Sequence, residues 1–382
     1  MSHSIYFVSA ERSGDIFSRK VMEAIRCLDS AANIRATVSG DGNGMQAEIS
    51  PIDLSDLSIL GWIEAFAAFP RVKRKAQDVA DDIVRTDPDL VVLTDSWGFT
   101  LRIAQLLRVE KPSLPLVKLI GPQIWASRPG RARNVARLYD LVCCVLPQEL
   151  DHYRPYGIQS VHVGVPALDG ISEGRADVAR QGLGLPKHKD ICLVCPGSRR
   201  SEMDRVAPDL IAAGRMFVSR RSEFALVIAP PPEFSEPLQN RLGRLEGEYW
   251  LPREVSLRDA MAASSLAFAC SGTVTTELVA AGVPTMVGYR VAPLTYHIAK
   301  AGMLKSPYIS LVNAAAGREI LPEFIQNELT PQRLVAKAED WLLQKDGLNC
   351  QREAQFSGLS LLQHNKKPAS EIAARAILQL LD

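Results

Sequence analysis

The sequence predicts an α/β protein of two doubly wound, Rossmann-like domains. Two observations predict it. Short β-branched apolar runs alternate with helical patterns along all 382 residues, and such alternation builds parallel sheets from βαβ units. The chain is also too long for one typical domain. Its alternation breaks once, where Pro166-Ala-Leu-Asp-Gly170 and Gly182-Leu-Gly-Leu-Pro186 read as a linker. The expected division is a first domain over 1–165, joined by a C-terminal helix within 365–382, and a second over 166–364. A cleft is expected between them.

In the first domain the expected strands are Ile5–Val8, Ile34–Val38, Leu90–Thr94, Leu116–Ile120, Leu141–Leu146 and Val161–Val163. The second supplies Ile191–Cys195, Phe224–Ala229, Leu266–Cys270 and Thr285–Tyr289. These are near-continuous apolar runs, as buried strands require. Helical patterns intervene at Asp15–Leu28, Ala76–Arg85, Arg131–Leu138, Arg205–Val218, Leu257–Ala263 and Thr275–Ala281, and the last covers Ala369–Leu381.

Composition narrows the function classes. Hydrophobic residues make up 47% and charged residues 23%, with a net charge of +1. Such a chain has no global field to draw it to nucleic acid. The 7 cysteines are odd in number and mostly sit in apolar runs, which fits reduced thiols in a cytoplasmic protein. Cys192 and Cys195 form C-x-x-C inside a strand, so core packing is expected of them. The N-terminus lacks a signal-peptide pattern, and no run of about 18 apolar residues could span a membrane. The six histidines show no metal-ligand spacing. Asp87-Pro-Asp89 precedes its strand and reads as a turn. No metal and no cofactor are expected.

Candidate chemistry lies where strands end, because open α/β sheets bind ligands beyond the carboxyl ends of their strands. Ile191–Cys195 runs into Pro196-Gly-Ser-Arg-Arg-Ser-Glu202. Small residues and backbone amides there, in Gly197 and Ser198, suit a phosphate, and Glu202 is a donor-binding candidate beside them. Arg199 adds a fork that grips phosphate at two points, and an ordinary turn is the alternative. Leu266–Cys270 runs into Ser271-Gly-Thr-Val-Thr-Thr-Glu277. Ser271, Gly272 and Thr273 repeat the small-residue junction. Glu277, four residues on, shares a helix face with Thr273 and could accept bonds from a ribose diol. Two such junctions in one domain favour a nucleotide over a solvated helix cap. Asn313, in an apolar loop, needs a specific partner and is a further candidate, with helix capping as the alternative.

In the first domain, Ser13 and Gly14 read as a turn and Asp15 as a helix cap, while Glu11 ends the first strand facing the cleft. Asp95 ends the strand Leu90–Thr94 and is a candidate general base; capping the helix near Gly98 is the alternative. Residues 61–75 are apolar and then basic. Trp62, Phe66 and Phe69 fall on one helical face, with Arg71 and Lys73 following. This suits a helix lying on an anionic membrane, or a core-facing helix with a basic end.

These segments resemble lipid-A-disaccharide synthase, glycosyltransferase family 19. The resemblance runs nearly end to end through Glu11-Arg-Ser-Gly-Asp15, Leu60-Gly-Trp-Ile-Glu64, Ile124-Trp-Ala126, Pro196-Gly-Ser-Arg199, Ser271-Gly-Thr273, Val287-Gly-Tyr-Arg290 and Leu311-Val-Asn313. It implies a metal-independent GT-B fold and inverting transfer to a β-1,6 linkage. The implied partners are a UDP-linked diacylglucosamine donor, a diacylglucosamine 1-phosphate acceptor and the inner-membrane surface, with a possible homodimer and a peripheral location on the cytoplasmic side. By position it implicates Glu11, Asp95, Arg199 and Asn313. The sequence departs from the family at Gly98 and Thr100, where Asp and Asn are usual, at Val165, where His is usual, and in the loop 121–127. All lie in the first domain. The alternative is a divergent paralogue that keeps UDP-sugar binding but uses another acceptor or is inactive.

Overall fold

The computed structural model describes residues 3–40, 42, 44–57, 69–125, 130–169, 174–292, 296, 306–363 and 367–381. The chain divides into two compact units, Met1–Asp169 with Gln363–Asp382, and Gly170–Leu362.

Among the described residues the first unit is built on seven strands: β1 (Ser4–Val8), β2 (Asn33–Thr37), β3 (Glu48–Ile49), β4 (Leu90–Leu93), β5 (Leu116–Lys118), β6 (Leu141–Cys144) and β7 (Gln159–His162). They pair in parallel in the order β3-β2-β1-β4-β5-β6-β7. Alternate residues feed opposite faces. Tyr6, Val8, Val91, Leu93 and Leu116 join one core with the helices Phe69–Thr86 and Trp97–Glu110. Ile5, Phe7, Leu90, Val92 and Val117 join the other with Arg12–Leu28 and Ala369–Leu378. This is why the strands read as unbroken apolar runs. Asp169 fixes the returning C-terminal helix, its carboxylate accepting from the amides of Ala369 at 2.5 Å and Ser370 at 2.7 Å.

The second unit holds β8 (Asp190–Cys195), β9 (Phe224–Ile228), β10 (Glu248–Trp250), β11 (Leu266–Cys270), β12 (Thr285–Tyr289) and β13 (Glu323–Ile325). All pair in parallel, in the order β10-β9-β8-β11-β12-β13. Cys192 and Cys195 fall in opposite cores, so they cannot bridge to each other. Burial pushes the Cys195 thiol up to about 12. The core-packing expectation for this C-x-x-C therefore holds.

Three strands escaped the sequence reading, namely β3, β10 and β13. Each is two or three residues long and sits at or beside a sheet edge, where no apolar run is required. The turn expected at Ser13 and Gly14 is also corrected. The first helix already begins at Arg12. Asp15 lies within its first turn and does not cap it. Its carboxylate instead accepts from the Ser39 hydroxyl at 2.5 Å and the Gly40 amide at 3.2 Å, holding the loop after β2.

Candidate functional site

Each sheet reverses its strand order once, between β1 and β4 and between β8 and β11. Such a reversal opens a crevice at the carboxyl ends of the strands. Glu11 and Asp95 lie at the first, and Gly197, Ser198, Glu202, Ser271, Gly272, Thr273 and Glu277 at the second.

In the first unit, Asp95 follows β4 and Glu11 follows β1. The Asp95 carboxylate accepts from the Ser9 hydroxyl at 2.9 Å, the Ala10 amide at 2.9 Å and the Glu11 amide at 3.0 Å. Asp95 therefore braces the β1 loop and does not cap the helix that follows it. Gly14 makes the approach possible, because an added Cβ there would lie 1.8 Å from Asp95 Oδ2. Burial raises the Asp95 carboxyl to about 6, opposed by the Ala10 amide and the Lys118 cation and reinforced by Glu11. A carboxylate of that basicity can take a proton near neutral pH.

Lys118 was not legible as a site residue, for it sits inside an apolar strand. Its side chain is 1% exposed. Burial lowers its ammonium to about 7, opposed by Asp95 and Glu11. A lysine in a strand of valines and leucines was the signal that could have found it.

In the second unit, a cavity of about 350 Å³ opens at the β8/β11 reversal. Gly197, Ser198 and Glu202 line it from the β8 side, and Ser271, Gly272, Thr273 and Glu277 from the β11 side. Residues after β9 and β10, including Pro230 and Arg253, close it. Thr273 and Val274 belong to the first turn of the helix Thr273–Ala280, whose amides have no intrahelical acceptor.

The first junction differs from its sequence reading. The amide of Ser198, expected to meet a phosphate, is held by Glu202 Oε2 at 2.8 Å, which also accepts from the Arg199 amide at 3.2 Å. Gly197, at φ +122°, lets this happen, since a Cβ there would lie 2.7 Å from that oxygen. The Arg199 guanidinium remains 72% exposed, 3.6 Å from Glu202.

Asn313 gives up its expected donor contact for an internal one. It is fully buried. Its Oδ1 accepts from the amides of Ile320 and Leu321, both at 2.8 Å, and its Nδ2 donates to the Leu321 carbonyl and to Glu323, both at 2.8 Å. That exhausts the amide's capacity, so Asn313 shapes its loop.

Trp62 and Phe66 lie outside the described residues. Phe69 opens the helix Phe69–Thr86 and is 56% exposed, with the Arg102 guanidinium 5.8 Å over its ring. Arg71 and Lys73 are exposed on the same helix. Among the described residues, no helix is long and apolar enough to cross a membrane.

A family model described as lipid-A-disaccharide synthetase matches residues 5–377. The lipid-A-disaccharide synthase of Gluconobacter oxydans (strain 621H) is 30% identical over 383 residues, covering 99% of this chain and 91% of that protein. Among solved structures, the UDP-GlcNAc 2-epimerase from Neisseria meningitidis bound to UDP-GlcNAc matches with a TM-score of 0.62 and 12% identity, covering 99% of both chains. The spinosyn rhamnosyltransferase SpnG complexed with thymidine diphosphate matches with a TM-score of 0.59 and 13% identity, covering 100% of both. These two likenesses concern the fold, two Rossmann-like domains of the GT-B kind.

Proposed function

The chain belongs to the lipid-A-disaccharide synthase family and is a glycosyltransferase of lipid A synthesis, and we propose that it makes the β-1,6-linked disaccharide by inverting transfer. The donor is a UDP-linked diacylglucosamine, the acceptor a diacylglucosamine 1-phosphate, and the second product UDP. The observation that carries the reading is the cavity at the β8/β11 reversal. Its small residues leave room for a diphosphate beside a helix start, and Glu277 supplies an acceptor for a ribose diol.

In the proposed reaction Asp95 takes the proton from the acceptor's 6-hydroxyl. The oxygen attacks the anomeric carbon as the bond to the diphosphate breaks, which inverts that centre. Glu11, whose amide is bonded to Asp95, borders the acceptor. Arg199 and the helix start at Thr273 neutralise the charge that develops on leaving UDP. Arg199, exposed and 3.6 Å from Glu202, turns its fork from that carboxylate to the diphosphate once that group is bound. Phe69, Arg71 and Lys73, with Trp62 and Phe66 before them, meet the anionic membrane surface that carries the acyl chains.

The departures at Gly98 and Thr100 support one second reading, a divergent paralogue with another acceptor. Both belong to the first unit, within five residues of Asp95, whereas the donor cavity belongs to the second. Disaccharide formation from the two lipid precursors, together with UDP binding by calorimetry, tests the proposal. Wild type should transfer, and Asp95→Ala should lose about 10²–10⁴-fold in rate while binding UDP. Transfer that survives Asp95→Ala overturns the base assignment, and failure to bind UDP overturns the donor site. UDP binding without transfer favours the paralogue.

A further inference from the structure

We propose that Lys118 is a positioning residue for Asp95, clamping the backbone that carries this carboxylate and holding a compensating positive charge beside it. The proposal rests on the reading of Asp95 as the base. Lys118 ends β5, and the strand alternation directs its side chain to the face covered by the helix Trp97–Glu110. Its Nζ donates to the Thr94 carbonyl at 2.8 Å, the Asp95 carbonyl at 3.0 Å and the Thr100 hydroxyl at 3.1 Å. An ammonium has three donors, so all three are spent on this turn. Thr100 closes the loop, its hydroxyl donating to the same Asp95 carbonyl at 2.9 Å. Ser96, between them, is held at φ +40°, a left-handed backbone that a non-glycine residue keeps only when its surroundings enforce it.

Every acceptor of the buried ammonium is neutral. Its charge is therefore balanced only at longer range, by the carboxylates of Asp95 and Glu11. On the remaining side, the Tyr139 phenol neighbours Thr100, and burial pushes it far up, so it stays neutral. Lys118 is thus the cation that keeps a half-buried Asp95 ionised and able to accept a proton. Thr100, a departure from the family, is part of the clamp.

The test is a ¹³C-NMR titration of the Asp95 carboxyl in wild type, Lys118→Met and Lys118→Gln, the signal identified by its loss in Asp95→Asn. Melting curves and pH–rate profiles of the same proteins accompany it. Removing the charge should raise the Asp95 titration point by about one pH unit or more, and the acidic limb of the rate profile should move with it. Lys118→Gln, which keeps donors but no charge, should recover melting temperature relative to Lys118→Met without recovering the titration point. The reciprocal arm uses the isosteric Asp95→Asn, in which the Lys118 ¹³Cε titration should move down by a similar amount. A merely structural lysine would lower the melting temperature and leave both titrations in place, and that result overturns the proposal. A carboxyl that shifts while the rate limb stays fixed would uphold Lys118 and remove Asp95 as the base. If both Lys118 variants fail to fold, the reciprocal arm alone decides.

Discussion

At the β1/β4 reversal of the first unit, buried ionisable side chains are bonded to the surrounding backbone. Asp95 holds the amides of Ala10 and Glu11, and Lys118 lies buried behind it. At the β8/β11 reversal of the second unit, small residues leave a cavity of about 350 Å³, and its carboxylates Glu202 and Glu277 stand at the wall. One topology thus serves two ends. Where the strand ends carry ionisable side chains, these bond to the backbone around them and their proton affinities shift. Where they carry glycine, serine and threonine, the crevice stays open and can hold a ligand. The difference lies in the residues at and just after the strand ends.

The contrast can be broken from the first unit first. Gly14→Ala would thrust a Cβ onto Asp95. Displacing a catalytic group by about 1 Å costs roughly a hundredfold in rate, so transfer should fall by about that factor while UDP affinity stays within about twofold. A parallel loss of UDP binding, measured by calorimetry, would show that the two reversals do not act separately.

The open side gives a smaller expected effect. Glu277→Ala should weaken UDP binding by about tenfold or more, the worth of a hydrogen bond to a charged group. It should not move the acidic limb of the pH–rate profile. On the proposed reading that limb belongs to Asp95, whose raised value of about 6 means that the base becomes protonated, and the rate falls, as pH drops through that point. UDP affinity should be flat across the same range. A limb that follows Glu277 would assign the titrating group to the wrong reversal.

The smallest effect is expected at a departure from the family. Gly98 is exposed, and a Cβ there would meet nothing within 4 Å. Gly98→Asp should therefore fold normally and gain about 0.5–1 kcal/mol from helix propensity and the helix dipole. If it also changes acceptor preference, this position sets specificity. An unchanged preference confines Gly98 to the surface.

Much of the fold was legible because burial on both sheet faces forces long apolar runs, and ten of the strands are announced that way. The edge strands β3, β10 and β13 were not, since pairing on one side needs only two or three residues. Glu11 and Asp95 were legible as strand-end carboxylates. Their mutual bonding was not, because 84 residues separate them in sequence. Asn313 was read as needing a partner and found it, but the partner is its own loop. Glu202 was read as a donor ligand beside the amides it turned out to occupy.

The sequence by itself determined the class of the molecule and where its chemistry sits. Hydrophobic periodicity is a local property, and strand-end residues are named by their place beside it. Only the tertiary structure decided which groups are already satisfied and which remain available. Hydrogen-bond capacity and burial depend on neighbours distant along the chain, and they made Lys118 a partner of Asp95 and set Ser271, Gly272 and Thr273 on the wall of a cavity.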